Sequence, residues 1–131
     1  MRINPDFDQY TRPRHGTPQL YDLFMSNIVG HALQEVIFPL SMPSVVAARL
    51  LGHMQWKIDV IYIDSAHEYG ETLVELILYY QLLRMGGVLM GDDYSSFPGV
   101  QHAVDTFAAY LGAKPAIVGV LGEDFRHLVI L

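Results

Sequence analysis

The chain has no cysteine at all, which excludes a disulfide scaffold and any thiolate metal site and suits a cytoplasmic protein. It is also short of charge, at 17%, and short of basic charge in particular, with 8 Lys+Arg against 14 Asp+Glu. A net charge of -6 argues against a nucleic-acid partner, which would call for a basic face. No apolar run reaches the roughly 18 residues of a membrane span, and no basic–apolar–small series opens the chain as a signal peptide. Neither membrane insertion nor secretion is therefore expected. What is present is a 51% hydrophobic sequence of 131 residues, enough for one domain with a substantial core and too little for two.

Residues 1–17 are polar and contain proline, and read as an irregular arm on a single domain spanning 1–131. Thr17-Pro18 then opens a helix with Leu20, Leu23, Phe24 and Ile28 on one face and Gly30 near its stop. EVIFPL (35–40) reads as a strand, and a short helix follows from Ser41-Pro43 to Gly52. IDVIYI (58–63) is apolar and β-branched almost throughout, the pattern of a parallel strand buried on both faces. A helix over 70–84 carries Leu73, Leu76, Ile77, Tyr80 and Leu83, with Gly86-Gly87 as its breaker and VLM (88–90) as the next strand. Pro98 opens a third helix whose Val100, Ala103, Val104, Phe107, Ala108 and Leu111 form the cleanest amphipathic stripe. AIVGVL (116–121) and RHLVIL (126–131) stand too close for a parallel crossover and read as an antiparallel hairpin. The expected fold is thus α/β, a mostly parallel Rossmann-like sheet with a C-terminal antiparallel hairpin.

In open α/β sheets ligands bind beyond the carboxyl ends of the strands. There IDVIYI runs into Asp64, with His67 three residues on, and the next strand runs into Asp92-Asp93. If the strands are parallel neighbours, three carboxylates share one small volume, which requires a cation or a proton. Oxygen donors of this kind suit Mg²⁺, Mn²⁺ or Ca²⁺. His67 could serve as a further ligand or as a general base. The competing reading is structural: Asp64 or Ser65 as a helix cap, and Asp-Asp-Tyr-Ser-Ser as turn chemistry. Glu68, Glu71 and Glu75 read as a solvated helix face, and His15, His31, His53, His102 and His127 are scattered. No GxxxxGK[ST] accompanies IDVIYID, so a P-loop nucleotidase is excluded.

Taken together, a strand ending in IDxxHxY, a helix ending in LLRMGG, a strand ending in GDDY and the run PGVxxAVDxF resemble class I S-adenosylmethionine-dependent methyltransferases. The likeness is to the branch holding sugar and small-molecule O-methyltransferases and cephalosporin-hydroxylase-like proteins. The resemblance covers residues 58–107 and extends weakly from 17 to the end. It implies S-adenosylmethionine as cofactor, a small-molecule hydroxyl as substrate, Asp64, Asp92 and Asp93 as divalent-metal positions, and His67 as candidate base. The chain departs from the family in having no GxGxG loop, the element that holds the methionine part of the cofactor. EVIFPL matches the family's third strand, so the expectation is a chain truncated at its N-terminus that does not methylate alone. Two other classes remain open: a non-enzymatic self-associating module, and a metal-dependent hydroxylase or hydrolase reusing the carboxylates. With the connecting helices on one side of the sheet, the other side would be bare, and a homodimer is the expected way to cover it.

Overall fold

The computed structural model describes residues 13–14, 16–119 and 127–130. They fall into two compact units, Met1–Ser41 and Met42–Leu131. In the first, β1 (Pro13–Arg14) pairs antiparallel with β2 (Thr17–Pro18), and α1 (Gln19–Gly30) follows. Of the expected α1 stripe only Ile28 is buried, while Leu20, Leu23 and Phe24 stay exposed.

EVIFPL is not a strand. The Leu33 carbonyl accepts from the amides of Val36 and Ile37, closing a turn, and Pro39 has no amide to give to a ladder. Val36 and Phe38 are 71% and 73% exposed, so the run is apolar without being buried.

The second unit holds α2 (Ser44–His53), β3 (Ile58–Ile63), α3 (Tyr69–Tyr80), β4 (Leu83–Gly91), α4 (Pro98–Leu111), β5 (Ala116–Gly119) and β6 (His127–Ile130). Its sheet has the order β3-β4-β6-β5. Only β3 and β4 are parallel; β6 pairs antiparallel with both β4 and β5. The expectation of a mostly parallel sheet therefore gives way to one parallel pair, because the strand read at 35–40 does not form. Residues 120–126, which join β5 to β6, lie outside the described residues, as do the side chains of both strands beyond Ala116. Among the described residues no helix is long and apolar enough to cross a membrane.

The Gly86-Gly87 pair is also used differently from expectation. The helix stops at Tyr80, and Leu83 already pairs with Ile58; the ladder then slips, and Val88 pairs with Val60. The extra residues of β4 bulge between those two pairs, and Gly86 supplies the positive φ (75°) the bulge requires. Arg84, in the bulge, forms an exposed ion pair with Asp59.

One core holds the unit together: Ala48 of α2, Ile61 and Leu89 of the sheet, Leu76 of α3, and Val100, Ala103, Val104 and Phe107 of α4. Tyr80 adds an edge-on contact to the Phe107 ring. The helices thus share the face that carries Ile61 and Leu89. On the other face Val60 and Tyr62 are 54% and 51% exposed, so β3 is not buried on both sides as its composition suggested.

Tyr94 ties the loop after β4 to this core. Its ring is buried and its hydroxyl donates to Asp105 Oδ1 of α4 at 2.7 Å. That hydrogen bond, with burial, holds the phenol above its ordinary value of 10.0. Because the folded state keeps this proton longer, the contribution is complete below the ordinary value and is lost as pH rises past it. Tyr94→Phe is expected to cost about 1 kcal/mol at neutral pH and to weaken the alkaline loss of stability, as followed by urea denaturation between neutral pH and pH ~11.

Candidate functional site

The parallel pairing sets Ile63 beside Gly91, so both strands end at the same level. Approach is close there: a Cβ on Gly91 would lie 2.9 Å from the Ile63 carbonyl oxygen, which accepts the Asp92 amide at 3.1 Å. Asp64–His67 and Asp92–Tyr94 therefore emerge side by side, and Asp64, Ser65, Ala66, His67, Asp92 and Asp93 line one cleft.

Within the cleft Asp64, His67 and Asp93 converge. One donor atom from each lies within 4.8 Å of the other two, and His67 Nε2 is 3.0 Å from Asp93 Oδ2. Asp64 does not cap the next helix: the N-cap of α3 is Glu68, with no side-chain cap bond. Asp92 points its Oδ2 to the Tyr62 hydroxyl, which donates at 3.1 Å, and its Oδ1 accepts the Asp93 amide at 2.8 Å. The cluster thus consists of two carboxylates and an imidazole rather than three carboxylates. Partial desolvation of the hydroxyl, its hydrogen bond to Asp92 and the nearby charges of Asp92, Asp64 and Asp93 raise the Tyr62 phenol above 10.0, keeping it a donor at neutral pH.

Three features hold His67 and Asp93 in place. Asp93 sits in the left-handed region (φ 64°), and its carbonyl accepts the amides of Ser96 and Phe97, turning the chain back toward α4. The Phe97 ring then stacks on the His67 imidazole, centroids 3.9 Å apart and planes 16° from parallel. Gly99, in the first turn of α4, lies directly against the backbone of residues 67–69. Beside this stack, Tyr69 and His102 form another, at 4.3 Å.

Sequence reasoning missed Phe97, Gly99 and Glu75. The first two stand beside the Pro that opens α4, where a helix start must meet the loop before it. Glu75 is not on a solvated face: it is 3% exposed, with Thr72 at 2% one turn earlier. The inner face of α3 is Thr72, Glu75 and Leu76, whereas Ile77 and Tyr80 of the expected stripe are 42% and 40% exposed. His15 lies outside the described residues; His31 and His53 take no part in the cluster.

Two parallel strands that end level, with chemistry-bearing residues on the loops after them and a helix start closing over those loops, define an α/β domain of the Rossmann-like kind. Comparison with known proteins places it more narrowly. A family profile described as a methyltransferase domain matches residues 6–94, more than half the chain. The chain belongs to the class I S-adenosylmethionine-dependent methyltransferase family. It is 28% identical over 92 residues to an uncharacterized protein of Acanthamoeba polyphaga mimivirus. That alignment takes in 68% of this chain and 37% of the viral protein, so the chain spans little more than a third of that relative's length.

Proposed function

We propose that this chain is the substrate-activating part of a divalent-cation-dependent O-methyltransferase that uses S-adenosylmethionine, and that alone it does not transfer the methyl group. The convergence of Asp64, His67 and Asp93 at the end of the parallel pair carries this reading. Two carboxylates and an imidazole suit Mn²⁺ or Mg²⁺, and donors within 4.8 Å of one another match two ligand distances of ~2.0–2.4 Å. A cation held there would supply Lewis acidity to a small-molecule hydroxyl. Asp64, being exposed, leaves the cleft open to such a substrate, while the Phe97 stack fixes the imidazole plane. The absence of a GxGxG loop supports the second half of the proposal, since that loop is the family's grip on the cofactor.

The 3.0 Å contact between His67 and Asp93 favours one alternative within the same site. An imidazole oriented by a carboxylate is also the arrangement of a general base. Calorimetry separates the cases. Wild-type protein is expected to bind Mn²⁺ and to show no micromolar affinity for S-adenosylmethionine; micromolar binding would overturn the claim of incompetence. A His67→Ala variant that binds Mn²⁺ as tightly as wild type would leave His67 the base alone, and a weakened one makes it a ligand.

A further inference from the structure

Glu75 is a carboxylate in the interior of the second unit, 3% exposed, and among the described residues it makes no ion pair. Its described partner is the hydroxyl of Ser65, which donates to Oε2. A buried carboxylate with a neutral partner is unfavourable, and an apolar side chain of the same size would fill that space without the desolvation cost. The polar group makes physical sense through what it holds.

It holds the strand-end loop. Thr72 and Glu75 lie one turn apart on the inner face of α3 and reach adjacent residues of that loop. Thr72 Oγ1 donates to the Ala66 carbonyl at 2.8 Å, and Glu75 takes the Ser65 hydroxyl. Ser65 and Ala66 are the two residues between Asp64 and His67. Fixing both leaves the loop little freedom to turn either flanking side chain away from Asp93.

We infer that Glu75 is a positioning residue: from α3 it anchors the 64–67 loop through Ser65, so that Asp64 and His67 face Asp93 across the cleft. The anchoring stands on the geometry alone; its consequence for cation binding rests on the function proposed above.

The test uses the whole chain and three variants, Glu75→Leu, Ser65→Ala and Glu75→Gln, the last keeping an acceptor for the hydroxyl. The first readout needs no metal. Stacked on Phe97, the His67 ring protons are shifted upfield in the NMR spectrum, and comparison with His67→Asn assigns them. Glu75→Leu and Ser65→Ala are expected to lose that shift while Glu75→Gln keeps it. The second readout is Mn²⁺ affinity, expected to fall about 10–100-fold in the first two variants and to be rescued in the third. A residue serving stability alone would change the denaturation midpoint and leave the shift of the folded protein intact. Retention of the wild-type shift in folded Glu75→Leu and Ser65→Ala overturns the inference; if Glu75→Leu does not fold, Ser65→Ala decides. Wild-type protein that takes up no Mn²⁺ overturns the cation reading, and the ring shift then decides the role of Glu75.

Discussion

Replacing Gly99 by alanine is expected to destabilise the protein, and replacing it by valine to do so by about 3 kcal/mol. Where the backbone is compatible and space allows, Gly→Ala ordinarily stabilises by roughly 0.4–1 kcal/mol through the unfolded chain, so the sign of the alanine result is itself the test. The reason is contact: a Cβ at Gly99 would collide with the His67 carbonyl oxygen and lie 2.9 Å from the Tyr69 amide nitrogen. Both are backbone atoms, so neither can swing aside as a side-chain end would. Relief has to come from moving the start of α4 away from the 67–69 segment, which also pulls Phe97 off the imidazole. Urea denaturation with an unchanged m-value measures the first effect. An alanine variant at least as stable as wild type would show that the helix start is not seated as described.

The second large effect separates stability from binding at Asp93. A left-handed non-glycine residue costs of order 1–2 kcal/mol relative to glycine, and Asp93 adopts φ 64° at the turn that leads into α4. Asp93→Gly relieves that strain while adding unfolded-state freedom, so stability is expected to stay within about 1 kcal/mol of wild type. On the proposed function, Mn²⁺ affinity is expected to fall by more than the ~100-fold that loss of a supporting group can produce, because a proposed ligand is removed outright. Asp93→Ala loses the same carboxylate and keeps the strain, and should be the less stable of the two. Calorimetric titration beside urea melts checks the pair. A glycine variant that binds Mn²⁺ normally would take Asp93 out of the cation site.

The left-handed residue stands within the cluster of Asp64, His67 and Asp93, and this bears on what the sequence could and could not tell. IDVIYI could be read as a strand and the Pro98 run as a helix because hydrophobic pattern and turn signals agree there on the element, although one face of IDVIYI is exposed where its composition suggested burial. EVIFPL has the composition of a strand, but composition does not provide a neighbour, and Pro39 with the turn on the Leu33 carbonyl decides against it. LLRMGG looked like a helix end because glycine pairs break helices; glycine also permits a bulge, and Leu83 had a partner in Ile58. The convergence of Asp64 and Asp93 could be read because parallel neighbours that end level bring the residues after them together. The separate use of Asp92 could not, since it depends on Tyr62 reaching across from β3. Glu75 was hidden for a more general reason: a charged residue at helical spacing reads as solvent-facing, and only the rotation of α3 about its axis shows that it is not.

The position of β3 at the end of its sheet has a consequence for hydrogen exchange. The Ile63 carbonyl accepts the Asp92 amide, so Ile63 faces β4, and the two-residue alternation of a strand sets Ile61 on the same side. The amides of Val60 and Tyr62 then point away from β4, toward an edge that has no other strand in the described sheet. Ile61 and Ile63 should exchange at the pace of core opening, and Val60 and Tyr62 at the pace of exposed chain. The same strand would carry slow and fast protons in alternation, and any polypeptide that pairs with its open side would turn the two fast ones slow.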